Sequence, residues 1–421
     1  MVSEAIPSDG EERSQQEAAG VEGEASCSYN LVKKMKKLDR ESLKTPIPGG
    51  EEEEDDDDQF MDPALWGCLP EDLHDRILAR LPIPSFFRLR IVCSRWQSLL
   101  SSPTFLGHCA AKNHQSWLLM FADVHYKLVF VYIPDEDRWL HFPLSFLPSN
   151  IYYITGAGGL LCFRLVEANG ASSMCVCNPI TRSWRRLPPL LGDFYAGLVG
   201  MVAESEDPRT LKSGRYRIVV RTKPPGSDDF DFTNLRTEVY DSASGHWSIS
   251  GVPEDDLTMG KAVCNGVLYF MTWEARNGVY AFLVDQGIWI NINAPWPYFF
   301  TCPHLVECAG ALFMVGGFGK QHVSTVGIRV WQLRAEAMEW ELIDSMPSRL
   351  FDEFLTKPGG MYFDCAGNGG CVYFINYEKP PMLIVFDVVR CLWRKLGSPA
   401  PNVLHKMFLC FSFTPQLGCP I

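Results

Sequence analysis

Between residues 66 and 105 the chain runs WGCLPEDLHDRILARLPIPSFFRLRIVCSRWQSLLSSPTF, with apolar residues at helical spacing between prolines. Leu73, Ile77, Leu78 and Leu81 fall on one face, the arrangement that buries one side of an amphipathic helix. Pro70 is placed as a first helical residue, with Glu71 and Asp72 in the first turn to complement the helix dipole. Pro82 and Pro84 end that helix, and Ser85 caps or opens the next turn. Phe86, Leu89 and Val92 form a second apolar stripe, and Ser94 caps a short third helix with Trp96, Leu99 and Leu100. Three helices in so short a segment make a very small core. Much of their apolar surface should therefore meet another protein or another domain.

Past residue 115 the helical spacing gives way to short runs of Val, Leu, Ile, Phe, Tyr and Cys bounded by Gly, Pro, Asn and Asp, which reads as all-β. These runs repeat. Trp139, Trp184, Trp247, Trp289, Trp340 and Trp393 each follow a turn-prone stretch, at separations of 45, 63, 42, 51 and 53 residues, the length of a four-stranded propeller blade. Seven positions before each stands an apolar residue: Tyr132, Cys177, Tyr240, Phe282, Leu333 and Phe386. A proline follows each within four to seven positions. The repeat predicts six blades with one tryptophan hairpin apiece, and the 63-residue interval predicts a long loop around Lys223–Asp231 rather than an extra blade. In GLLCF, GVLYF, GALFM and GCVYF a glycine precedes an apolar strand, which suits an inner strand close to the axis. A propeller left open exposes a strand edge, so MFLCFSF at 407–413 is expected to close the ring against Trp117–Phe121.

Charge separates the first part of the chain from the rest. Residues 1–62 hold 18 acids against seven Lys and Arg, including the eight-acid block Glu51–Asp58, and so carry −11 of the total −12. A segment so charged and so poor in aromatics is expected to be disordered. Within it Lys33, Lys34, Lys36, Lys37 and Arg40 form a cluster that reads either as a nuclear import signal or as a solvated charge run. Residues 63–421 are nearly neutral, which argues against direct nucleic-acid binding through phosphate attraction. The start has no secretory pattern, and no apolar run nears the roughly 18 residues of a membrane span, so neither secretion nor a membrane partner is expected. The 15 cysteines are odd in number and scattered, as reduced core residues would be. No CxxC pair or histidine partner completes a metal set, and no cofactor is expected. The nine histidines include His125, His141, His246, His304 and His322 in the β region, with no pair at ligand spacing and no nucleophile–base–acid set, so no catalytic residue is assigned.

Leu69-Pro70, Glu71-Asp72, Ile77-Leu78, Leu81-Pro82, Val92-Cys93 and Trp96 together resemble the F-box motif. The remainder resembles the kelch-type propellers joined to F-boxes in plants, in Cys177-Asn178-Pro179 followed by Trp184 and Leu187-Pro188, although a Gly-Gly doublet after an apolar strand is clear only at Gly316-Gly317. The resemblance implies a mainly β protein: a disordered acidic tail at 1–61, a small three-helix F-box at 62–108 and a six-bladed kelch-type β-propeller at 115–415. It also implies a non-catalytic substrate-recognition subunit of an SCF-type ubiquitin ligase in the nucleus and/or cytoplasm. The F-box would bind a Skp-type adaptor, and through it cullin and a RING protein, while the propeller binds an unknown protein substrate. Leu69, Pro70, Ile77, Leu78, Leu81, Pro82, Leu89, Val92 and Trp96 are then the adaptor-binding set, several of them equally able to pack the three helices. The connectors after the tryptophans are rich in aromatics at Tyr152-Tyr153, Phe194-Tyr195, Phe351 and Phe354. In a further connector Trp296, Tyr298, Phe299 and Phe300 are the candidates for target binding, with packing between blades as their alternative role. A propeller scaffold acting outside a ligase, and a propeller enzyme, are the competing functions.

Overall fold

The computed structural model describes residues 68–110, 116–123, 128–167, 172–204, 214–227, 234–253, 257–272, 278–296, 301–320, 324–355, 363–376, 382–397, 409–417 and 421. The acidic tail, the Lys33–Arg40 cluster, Trp66, Tyr298, Phe299 and Phe300 lie outside the described residues. The chain divides into two compact units, Met1–Lys112 and Asn113–Ile421.

The first unit is helical. Helix α1 spans Glu71–Ala79, and Pro70 is its N-cap rather than its first residue. The ring fixes φ at −57°, but ψ is 148°, so the Pro70 carbonyl starts the helix by accepting the N–H groups of Leu73 and His74 from outside it. Helix α2, Ile83–Leu89, takes Pro82 as N-cap and holds Pro84 in its first turn. Ser85 therefore lies inside that turn and caps nothing. Helix α3, Ser94–Ser98, starts after the extended Cys93 and runs into a 3₁₀ turn at Leu99–Ser101. A further helix, α4, spans Pro103–Ala110 beyond the reach of the periodic pattern; the Ser102 hydroxyl accepts the Phe105 N–H at 3.3 Å to cap it. Leu78, Ile83, Phe86, Trp96, Leu99 and Phe105 are the core, with Phe86 stacked on Phe105 at 5.1 Å between centroids. Arg95 ties α3 to α1 through Asp75 at 3.0 Å.

The second unit is a six-bladed β-propeller of six four-stranded antiparallel sheets. The strands that meet those of neighbouring blades around the axis are Leu409–Phe413, Ile151–Ala157, Asp193–Ala203, Leu257–Cys264, Thr301–Cys308 and Phe363–Asn368, in blades one to six. Leu409–Phe413 pairs with Trp117–Phe121 in blade one, so the last strand of the chain closes the ring and covers the edge that Trp117–Asp123 would otherwise expose. The glycine-led runs are inner strands, second from the axis. Their glycines end tight turns, as at Asn265-Gly266 (φ 50° and 76°) and Ala309-Gly310 (φ 51° and 77°), the two-residue geometry with both φ values positive that suits a twisted hairpin. Innermost strands need small residues instead, because six of them converge. A Cβ on Gly367 of blade six would lie 1.7 Å from the Glu307 carbonyl oxygen of blade five.

Each tryptophan sits on the outermost strand of its own blade. Each directly faces the apolar residue seven before it: Tyr132 with Trp139, Cys177 with Trp184, Tyr240 with Trp247, Phe282 with Trp289, Leu333 with Trp340 and Phe386 with Trp393. Five of the indoles also fasten neighbouring blades. Trp139 donates to the carbonyl of Gly397, Trp247 to that of Pro188, Trp289 to that of Gly251 and Trp340 to that of Ala294, while Trp393 donates to the Asp344 carboxylate. Every acceptor lies just past the tryptophan of the preceding blade, where the chain leaves one sheet for the next. Trp184 is 41% exposed and makes no such bond among the described residues. The long interval before Trp247 belongs to one sheet, extended by two connectors, 204–215 and 224–235. A short helix, α5 at Ser348–Phe354, interrupts the β pattern and packs Phe354, fully buried, between blades five and six.

Candidate functional site

On the helical unit, Leu78 and Trp96 of the expected adaptor-binding set are buried in the module's own core. Leu69, Leu81, Leu89 and Val92 are partly buried, and Pro70, Ile77 and Pro82 are exposed. Packing thus takes the two largest burials, and a partner can reach the rest. Ile77 on α1 is 36% exposed, and Leu73, one turn earlier on the same face, is 37% exposed. Ile91, 71% exposed, lies between α2 and α3 beside a depression lined by Phe87, Val92 and Cys93. Sequence reasoning left Leu73 and Ile91 out of the set. The available signal for Ile91 was an apolar residue that the α2 stripe of Phe86 and Leu89 does not use.

On the propeller, the antiparallel meander sends alternate turns to opposite faces. One face carries turns of two or four residues, apart from 204–215 in blade three. The other carries long connectors, among them 187–192, 224–235, 251–256, 292–300 and 346–362. Tyr152-Tyr153 and Phe194-Tyr195 lie not in connectors but at the starts of the innermost strands Ile151–Ala157 and Asp193–Ala203, at this second face, while Phe351 and Phe354 lie on α5 within 346–362. Tyr152 is exposed there, Phe194 lies under the Arg164 guanidinium at 4.5 Å, and the Lys223 amine sits 5.7 Å from the Tyr195 ring. Trp296 is partly buried against the cluster between blades four and five and donates its indole N–H to the Gly278 carbonyl at 3.1 Å. Phe351 is likewise partly buried.

The six innermost strands enclose an axial cavity of about 320 Å³. Small residues such as Gly156, Gly200, Gly260 and Gly367 make room for it, and Lys261, His304, Glu307 and Asp364 bring charge into it. The Lys261 amine donates to the Val199 carbonyl. Burial lowers its pKa from 10.5 to about 8, against a small opposing pull from Cys162. A base depressed in the folded state weakens folding while both states are charged, and the penalty fades as the folded state loses its proton. Lys261→Met is therefore expected to be more stable than the parent at pH 7, by on the order of 1 kcal/mol. That gap should close as the pH rises from about 8 to 10.5 in urea unfolding of the two proteins. A gap that stays constant across this range would show that the lysine is not the cause.

No helix among the described residues is long and apolar enough to cross a membrane. An F-box domain model matches residues 66–107, and a KIB1-4 beta-propeller model matches residues 130–388, more than half of the chain. Protein UNUSUAL FLORAL ORGANS of Arabidopsis thaliana is 29% identical over 400 residues, spanning 86% of this chain and 88% of its own length. An F-box/kelch-repeat protein of Arabidopsis thaliana is 29% identical over 378 residues, spanning 83% of this chain and 89% of its own. Protein ABERRANT PANICLE ORGANIZATION 1 of Oryza sativa subsp. japonica is 28% identical over 400 residues, spanning 86% and 90%. With a helical F-box ahead of a closed six-bladed ring, the chain belongs to the F-box proteins that carry a KIB1-4 β-propeller.

Proposed function

We propose that this protein is the substrate-recognition subunit of an SCF-type ubiquitin ligase, acting in the nucleus or cytoplasm. Residues 62–108 bind a Skp-type adaptor, which links the chain to cullin and a RING protein, and residues 115–415 hold the target, with residues 1–61 as an acidic tail ahead of them. The carrying observation is an F-box match whose helices leave Leu73, Ile77 and Ile91 exposed, in one chain with a six-bladed ring whose long connectors share a face. Such a chain needs no acid–base chemistry of its own: it raises the local concentration of target lysines near the ubiquitin thioester by tethering and orientation. Capture of a purified Skp-type adaptor, and of cullin through it, by the full chain tests the proposal. Failure to capture the adaptor would instead favour a scaffold outside the ligase.

Target binding is assigned to the long-connector face, with Trp296, Tyr298, Phe299 and Phe300 among its contacts. The run PWPYFF sets two prolines and four aromatics in six residues, and prolines restrict a chain so that it loses less entropy on binding. Replacing Tyr298 and Phe299 with Ala should release the target captured by an F-box-disabled chain and keep both adaptor binding and unfolding temperature. A fall of many degrees in unfolding temperature would assign these residues to blade packing.

A further inference from the structure

We propose that Cys302, His304 and Asp364 form a reactive-thiol site at the long-connector end of the axial cavity, where Cys302 is oxidised by hydrogen peroxide. The innermost strand of blade five loses register between Thr301 and His304, a β-bulge, and Cys302 within it adopts φ 51°. An L residue in the left-handed region is strained and persists where its surroundings impose it, and a bulge re-aims the side chains around it. Here the bulge sets the Cys302 sulfur 3.3 Å from His304 Nε2. The thiol donates to the Phe363 carbonyl at 3.1 Å, and His304 Nε2 lies 2.9 Å from the same oxygen. On the other side of the ring, Nδ1 lies 3.8 Å from Asp364 Oδ1. Backbone N–H groups of Cys365 and Cys410, each at 2.9 Å, hold the Asp364 carboxylate in place.

Two innermost strands, from blades five and six, thus assemble a nucleophile, a base and a carboxylate, and the innermost strand of blade one adds the Cys410 N–H that holds the carboxylate. His304 and Asp364 line the cavity, and Cys302 is partly exposed, whereas its neighbours Cys365 and Cys410 are buried. Burial alone would pull the His304 pKa down, but the Cys302 thiol, the Asp364 carboxylate and the Phe363 carbonyl outweigh it and hold the pKa above the ordinary value. Burial raises the Asp364 carboxyl, with His304 and the two backbone N–H groups opposing. The titratable groups acting on the imidazole are Cys302 on its own strand and Asp364 across from it, and Cys365 and Cys410 stand beside Asp364.

In the reacting form the thiol proton resides on His304 as a thiolate–imidazolium pair, whose Nε2–H donates to the Phe363 carbonyl beside the Cys302 sulfur while Nδ1–H faces Asp364. The sulfur attacks one peroxide oxygen, so an S–O bond forms as the O–O bond breaks. Two electrons pass from sulfur to peroxide, and the departing hydroxide takes the proton from His304 to leave as water. The product is a sulfenic acid at Cys302. His304 acts on the thiol proton, and Asp364 is a positioning residue.

The test exposes the full-length chain to limiting hydrogen peroxide, traps sulfenic acid with dimedone and reads each cysteine by peptide mass spectrometry. Cys302 is expected to be labelled at least tenfold faster than Cys68 and Cys391, which are exposed. His304→Gln should slow labelling of Cys302 about tenfold and leave Cys68 and Cys391 unchanged, and Asp364→Asn should slow it less. The proposal is overturned if Cys302 in the unaltered protein reacts no faster than Cys68 and Cys391, a comparison that needs no variant to fold. It is also overturned if folded His304→Gln protein reacts at the parent rate. Neither result depends on an adaptor or a target, so the ligase function stands or falls separately.

Discussion

Ile77→Asp combined with Ile91→Asp is expected to abolish capture of a Skp-type adaptor while leaving the propeller's unfolding transition where it was. Both side chains are exposed on the helical unit, so a charge at either position remains solvated in the free protein and costs little stability. Against a partner the balance reverses, because a carboxylate buried at an apolar contact must be desolvated without a counter-charge. Losses of about 2 kcal/mol or more per central apolar contact are usual for interface hot spots, so the pair should weaken binding by a factor on the order of a thousand. Leu78→Ala serves as the contrasting substitution. Leu78 is 2% exposed, so it should lower the stability of the helical module by about 2–5 kcal/mol and impair binding only through unfolding. Surface plasmon resonance with a purified adaptor, beside thermal unfolding of each variant, separates the outcomes. Unweakened binding by the double Asp variant would place the adaptor surface elsewhere on the module.

Gly367→Ala is expected to be the most damaging single-methyl change in the propeller, at about 3 kcal/mol or more. The new carbon would sit 1.7 Å from the Glu307 carbonyl oxygen and 2.7 Å from its carbon, and backbone atoms cannot swing away as a side chain can. The innermost strands of blades five and six would have to part, and His304 and Asp364 sit on those same two strands. Gly397→Ala provides the comparison, since nothing lies within 4 Å of its added carbon. That substitution should be neutral or slightly stabilising, because alanine restricts the unfolded chain. Urea unfolding of the two variants against the parent checks both values. Equal stability of Gly367→Ala and the parent would mean that neighbouring blades are not packed this closely at the axis.

Blade number, the tryptophan hairpins and the closing strand were legible along the chain because they depend on short-range pattern. An outermost-strand tryptophan and the residue seven before it face each other across one hairpin, so their spacing survives whatever the connectors do. The F-box was legible for the same reason: its prolines and apolar stripe set the helix starts locally. Contacts between blades were not legible. Separation along the chain says nothing about which backbone carbonyl an indole will meet, such as Gly397 for Trp139, 258 positions away. Nor could spacing rank the strands by distance from the axis, since that depends on where six sheets converge and on which strands are small enough to do so. Cys302 and His304 stand two positions apart in the sequence, but nothing there joins them to Asp364, and no nucleophile–base–acid set was assigned. A bulge in one strand and the close approach of the next blade's innermost strand bring the three together, because the packing of successive blades around the axis sets which innermost strands are neighbours, and that is a property of the tertiary structure alone.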